Sequence, residues 1–218
     1  MREKLKKEIH NFLRNYEGFF HSESEVQILL ANYLMGTRYY DNVFIEYNVS
    51  KGLIPNYPWA NDKKISIDIV IQQKNNFIPI EVKYKTRKQT FPHKVFGSIT
   101  NVTLSNQGAK NEGCYSFWKD IKRLEIIKET FKLHHSGILL FITNDHSYLN
   151  HPRPSVQYGP FSIHQKRQIK NGVDLNWDTT KKDINPIRAK KFPGFNISND
   201  YKIFWNDLKI KEHKYILI

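Results

Sequence analysis

Residues 65–85 read ISIDIVIQQKNNFIPIEVKYK, and the fold turns on how they are read. Two isoleucine-rich runs flank QQKNN, a polar stretch of turn formers. Each run alternates with a period of two, which predicts antiparallel strands at 65–71 and 77–85 joined by a tight turn. In the first strand Ile65, Ile67, Ile69 and Ile71 share one face, and Ser66, Asp68 and Val70 the other. In the second, Ile78, Ile80, Val82 and Tyr84 oppose Glu81, Lys83 and Lys85. A turn at Lys74-Asn75 pairs Asp68 with Glu81; a turn at Asn75-Asn76 pairs it with Lys83. Directly paired residues point the same way, so both registers gather Asp68, Glu81 and Lys83 on one face.

The neighbouring elements extend this hairpin on both sides. The pattern predicts a helix over 2–16 and a second one from near Ser22. In the second, Val26, Leu29, Leu30, Tyr33 and Leu34 form one apolar stripe, and Gly36 ends it. Residues 42–49 (NVFIEYNV) read as a strand. The polar stretch 86–113 reads as a long loop. Residues 116–134 read as a helix with Phe117, Ile121, Leu124, Ile127 and Phe131 on its apolar side. The run ILLFIT that follows Gly137 suits a strand covered on both faces. A strand–helix–strand crossover implies a parallel pair, so the expected class is α/β with a mixed central sheet flanked by helices. FSIH (161–164), VDLNW (173–177) and KYILI (214–218) read as short extra strands. No repeat or low-complexity linker interrupts the chain. The expectation is a single domain over 1–218, with its core at about 22–145 and a C-terminal elaboration at 146–218.

Composition bounds the function. The chain has 34 Lys and Arg against 21 Asp and Glu, a formal charge of +13, so a polyanionic partner is expected. Aromatics at 14% supply a packed core and argue against disorder. A single cysteine, Cys114, excludes an internal disulfide and a cysteine-rich zinc site. There is no apolar run of membrane-spanning length, and MREKLKKEIHNFL lacks a signal peptide's apolar stretch. A cytoplasmic protein away from the membrane is therefore expected. Two basic runs stand out, Lys83 to Lys94 and Lys181 to Lys191. Either alone reads as a solvated surface.

The chemistry lies on the shared face of the hairpin. Two neighbouring carboxylates repel unless a proton or a cation intervenes. Oxygen ligands beside an anionic substrate favour Mg²⁺, which is held through one or two carboxylates and several waters. A lysine one strand step beyond can orient or deprotonate a water and offset charge building on phosphate oxygens. Together these are the parts of metal-assisted phosphodiester hydrolysis.

Asp68, twelve intervening residues and then Glu81-Val82-Lys83 resembles the PD-(D/E)xK motif of the restriction-endonuclease-like nucleases, with Ile67 where the motif's name has Pro. The predicted element order over 22–145 also resembles that superfamily's αβββαβ core. The resemblance implies a metal-dependent DNA endonuclease, of a restriction or phage-defence kind. Asp68, Glu81 and the Val82 carbonyl would hold Mg²⁺, with Mn²⁺ able to substitute, and Lys83 would assist the attacking water. Many members add a glutamate from the first core helix, a position Glu25 matches. Ser22-x-x-Glu25 is equally a capping box, so Glu25 carries both readings.

Lys85, Arg87, Lys88 and Lys94 are expected to touch DNA phosphates. A homodimer is expected if both strands are cut. The alternative is a catalytically inactive nuclease-like fold that binds nucleic acid or serves an assembly. Asp120 and Arg123, spaced i,i+3, read as a helix-surface ion pair. Cys114 reads as an inert thiol, and Trp59 as a core residue or a base-stacking platform.

Overall fold

A computed structural model describes residues 1–55, 57–59, 64–181, 191–210 and 212–218. Its central hairpin pairs β2 (Ile65–Gln73) with β3 (Asn76–Lys85), Ile69 opposite Ile80 and Gln73 opposite Asn76. The turn is therefore Lys74-Asn75, with Lys74 in a left-handed conformation at φ 53°. Continued beyond its last pair, that register sets Asp68 opposite Glu81.

On the outer side of β2 lies the edge strand β1 (Asn42–Val49), antiparallel. On the far side of β3 lies β6 (Ile138–Thr143), parallel to it, with Glu81 opposite Leu139 and Lys83 opposite Phe141. The crossover helix therefore yields a mixed sheet, as its strand–helix–strand order predicts. The sheet continues through β12 (Lys214–Leu217) to β11 (Asn206–Asp207), giving six strands in the order β1-β2-β3-β6-β12-β11. The last two strands of the chain thus join the central sheet.

Among the described residues three α-helices flank this sheet: α1 (Arg2–Asn15), α2 (Glu23–Gly36) and α3 (Lys110–Thr130). The first two cover one face. Leu5, Ile9, Leu13, Val26, Leu30 and Leu34 pack there on Ile80, Val82 and Leu140. On the opposite face α3 lays Phe117, Trp118, Ile121 and Leu124 on Leu139 and Phe141. Each such side chain, fully buried, contributes roughly 1.5–3 kcal/mol of transfer free energy. β6 is covered on both sides, which is why all six of its residues are buried. No helix among the described residues is long and apolar enough to cross a membrane.

The structure departs from the sequence expectations at four places. The stretch 86–113 is not a loop: β4 (Gln89–Val95) and β5 (Ser98–Leu104) form a second hairpin, and α3 begins at Lys110 and not at 116. The hairpin has little apolar cover, so its strand signal is faint in the sequence. FSIH is not a strand, because Phe161 closes a short 3-10 turn over Gly159–Phe161. VDLNW keeps only β8 (Asp174–Leu175), paired with β9 (Phe195–Asn196), beside a similar short pair of β7 (Gln168–Ile169) and β10 (Tyr201–Lys202). The basic run 181–191 lies, its two ends apart, outside the described residues.

The fourth departure matters most. The four isoleucines of β2 do not share a face: Ile65 and Ile67 belong to the α3 side, whereas Ile69 and Ile71 belong to the α1/α2 side. The alternation reverses at Asp68. There the β2–β3 ladder has ended and, on the other flank, Glu46 of β1 sits in a left-handed conformation at φ 51°. An interruption of this kind re-aims side chains in the way a bulge does.

Candidate active site

The interruption leaves the Val82 amide without a main-chain partner on β2. Asp68 supplies one: its Oδ2 accepts the Val82 N–H at 2.6 Å. The carboxylate is thereby held, nearly buried, against the strand that carries Glu81 and Lys83. Burial pushes its pKa up to about 6; the Lys83 ammonium and the Val82 N–H pull the other way.

Glu81 has no exposed surface. Its two oxygens receive the Arg123 guanidinium as a fork, Nε to Oε1 at 2.9 Å and Nη2 to Oε2 at 2.5 Å. Such bidentate pairs are the strong ones. Burial still holds the Glu81 pKa well above the usual carboxylate range, despite the guanidinium and helped by the nearby Asp120 and Asp68.

Lys83 Nζ lies 3.2 Å from Asp120 Oδ2 and 3.6 Å from Glu23 Oε1, and donates to the Val82 carbonyl at 3.3 Å. Burial alone would make this amine easier to deprotonate. The carboxylates of Asp120, Glu23, Glu81 and Asp68 outweigh burial and raise its pKa, so it stays an ammonium. Arg123 also reaches Asp120 Oδ1 at 3.0 Å.

Asp120 and Arg123 therefore do not form the surface pair that their spacing suggests. They are buried participants, brought in by α3, and Asp120 falls on the helical stripe of Phe117, Leu124 and Ile127. That stripe was the available signal. Glu23 was missed for a similar reason: it precedes Val26, Gln27 and Leu30 by three, four and seven residues, one turn ahead of the buried stripe of α2. Its Oε2 accepts the Tyr84 N–H at 2.8 Å.

Glu25 is not brought to the cluster. Its N–H donates to Ser22 Oγ at 3.1 Å, and its Oε2 accepts the His21 N–H at 2.5 Å. This is the work of a helix-start cap.

The basic residues lie at the end of β3 and beyond. Lys85 is half-buried, and Arg87, Lys88 and Lys94 are exposed on or beside the β4–β5 hairpin. Asn144, just after β6, fixes the base of that hairpin: its Oδ1 accepts the Arg87 N–H at 2.7 Å and its Nδ2 donates to the Gln89 side chain at 2.8 Å. Trp59 is buried and donates to the Tyr115 hydroxyl at 2.8 Å, a core position. Cys114 is wholly buried, and burial pushes its thiol pKa up to about 12, so it is unreactive at neutral pH.

Four carboxylates (Glu23, Asp68, Glu81, Asp120) meet two cations (Lys83, Arg123), leaving a formal surplus of two negative charges. Asp120 Oδ2, though near Lys83 Nζ, makes no hydrogen bond. Carboxylates that outnumber the cations beside them are the donor chemistry that a hard dication relieves. Among the described residues no three His, Cys, Asp or Glu side chains stand ready as a cage of their own. Mg²⁺ held by one or two carboxylates and water requires none.

A concavity of about 340 Å³ lies elsewhere, lined by apolar residues such as Val49, Leu53 and Phe131, and offers little chemistry. The charged cluster reaches solvent through Glu23 and, to a lesser extent, Lys83. No family model, curated protein or solved structure matches the chain.

Proposed function

We propose that the protein is a metal-dependent DNA endonuclease of the PD-(D/E)xK kind. The observation that carries this reading is the buried, net-negative cluster of Asp68, Glu81 and Asp120 around the Lys83 ammonium. An ordinary sheet surface has no use for such a cluster, and burying it is costly. Asp68 and Glu81, with the Val82 carbonyl, would hold Mg²⁺ or Mn²⁺. When bound, the dication supplies Lewis acidity toward a phosphodiester and its water. The chain's own residues do the rest. Lys83, held cationic, orients the attacking water by hydrogen bonding and offsets charge building on the phosphate oxygens. Asp120 and Glu23 hold Lys83 in place, and Arg123 fixes the Glu81 carboxylate. Lys85, Arg87, Lys88 and Lys94 grip flanking phosphates, and two copies acting together would cut both strands.

A second reading has a specific observation behind it. Both Glu81 oxygens are already engaged by Arg123, which suits a structural charge lock in a fold that binds nucleic acid without cutting it. Plasmid DNA incubated with the full chain and Mg²⁺ or Mn²⁺, beside Asp68→Ala and Lys83→Ala, separates the two. Metal-dependent nicking lost in both variants supports the enzyme. No cutting of any DNA or RNA by the parent removes that reading, and an Asp68→Ala protein as active as the parent removes this assignment of the site.

A further inference from the structure

The β4–β5 hairpin carries a residue that neither burial nor backbone preference favours. Its turn is Phe96-Gly97, with φ 48° and 90°. Two left-handed residues in a two-residue loop favour Asn-Gly, and a bulky aromatic there is strained. Phe96 nevertheless occupies the position with its ring fully exposed, 105% relative to a reference chain, and Ile99 beside it is 81% exposed. An apolar, strained, solvent-facing tip contributes nothing to the fold. Costs of this kind concentrate at functional sites.

The rest of the hairpin is built for an anionic partner. From Val82 to Asn111 there is no acidic residue, while Arg87 and Lys88 stand at its base and Lys94 near its tip. One face is docked: Phe91 packs edge-on against Phe19 with ring centroids 4.1 Å apart, and His93 lies 5.4 Å from His21. The other face is free and carries Thr90, Lys94, Asn101 and Thr103, all exposed. Two-stranded ribbons enter the major or the minor groove of B-form DNA. The deep, narrow major groove of A-form RNA does not admit them.

We infer that the β4–β5 hairpin enters a groove of duplex DNA and that Phe96 at its tip wedges into a base step and unstacks it. Apolar wedges of this kind widen or kink the duplex, and the surrounding lysines and polar side chains gain contacts from the bend. The inference rests on the nuclease reading for where the cut falls: the hairpin leaves the end of β3 that carries Lys83 and Lys85, so the wedge would sit a fixed step from the scissile phosphate.

The test uses the full chain in EDTA with short duplexes carrying 2-aminopurine at successive positions, a base whose fluorescence rises on unstacking. The parent should bind duplex DNA ahead of single strands and of duplex RNA, and brighten the probe at one or two positions. Phe96→Ser and Phe96→Asn should abolish the brightening and weaken binding about tenfold. Phe96→Asn should also keep or raise the protein's thermal midpoint, since Asn-Gly suits the turn, so a loss of binding cannot be blamed on misfolding. Lys94→Ala should weaken binding and leave the brightening. The wedge is overturned by binding without brightening, by Phe96 variants that bind as the parent does, by a preference for duplex RNA or single strands, or by Phe96 variants that only dissolve a dimer. Brightening with no cutting in Mg²⁺ would keep the wedge and remove the nuclease. Cutting with binding indifferent to Phe96 would do the reverse.

Discussion

Asp68 Oδ2 accepts the Val82 N–H at 2.6 Å, one residue past Ile69 on β2 and two past Ile80 on β3, the last main-chain pair of the central hairpin. A side chain stands where the ladder would put a carbonyl. One acid thus both ends the pairing of β2 with β3 and occupies the centre of the charged cluster, and its removal should touch stability and activity in opposite directions.

Asp68 has a folded pKa of about 6 against an ordinary value of 3.8. The folded state therefore binds more protons, and this group's contribution to stability falls as pH rises from about 4 through 6. Asp68→Asn keeps an acceptor for Val82 and removes the titration. The variant should be more stable than the parent by roughly 1–3 kcal/mol at pH 7–8, with the advantage fading below pH ~4. On the proposed nuclease reading, its DNA cutting should drop at least ~100-fold. Urea midpoints from pH 4 to 8 check the first point; a difference that does not grow with pH would contradict it.

Mg²⁺ should raise the thermal midpoint of the parent at pH 7.5, because a ligand that binds only the folded state stabilises it by mass action. Asp68→Asn and Glu81→Gln should lose most of that rise. Differential scanning fluorimetry over a millimolar Mg²⁺ series measures it without any turnover, and equal shifts in all three proteins would place the ion elsewhere.

Arg123→Ala strips the fork from a carboxylate that has no exposed surface. Leaving a buried charge without its partner costs about 3–5 kcal/mol, so the variant should unfold at markedly lower denaturant. Adding Glu81→Gln should recover part of the loss. Arg123→Lys, with the charge but not the planar fork, should fall between.

Glu23 and Glu25 separate capping from chemistry. Glu25→Ala should cost about 1 kcal/mol of stability and leave kcat within a few fold, as loss of a helix cap does. Glu23→Ala should lower kcat more than ~10-fold by loosening Lys83 and the Tyr84 amide. Reversed outcomes would return the catalytic role to Glu25.

Each of Arg87, Lys88 and Lys94, changed to alanine, should lower the slope of log K against log salt by about one for duplex DNA. Lys170→Ala, an exposed lysine paired with Asp200 on the C-terminal segment, serves as the control and should leave the slope unchanged. Fluorescence anisotropy between 50 and 200 mM salt, about the range over which several phosphate contacts are felt, reads it out.

The hairpin and its neighbours were legible because burial on one or two faces writes a strong period: β2, β3, β6 and α2 appear where the isoleucines and leucines put them. Asp68, Glu81 and Lys83 were legible for the same reason, since the Lys74-Asn75 turn and the alternation of β3 leave them one meeting place. What stayed hidden depends on contacts across the chain. The reversal at Asp68 needs the free Val82 amide, which no local pattern reveals. Arg123 became a partner of Glu81 only once α3 was laid over β3, and its i,i+3 relation to Asp120 concealed that. The second hairpin faces solvent on one side, where Thr90, Lys94, Asn101 and Thr103 break up the apolar alternation.

The place of β12 in the sheet has a consequence for synthesis. β6, an unbroken apolar strand, pairs with β3 on one side and on the other waits for Lys214–Leu217, roughly seventy residues downstream. At about 5–20 residues per second the ribosome takes roughly 4–14 s to make that distance. Throughout that interval the open edge Ile138–Thr143 can recruit strands from other nascent chains, so chains released early, before residue 214, should accumulate as aggregates.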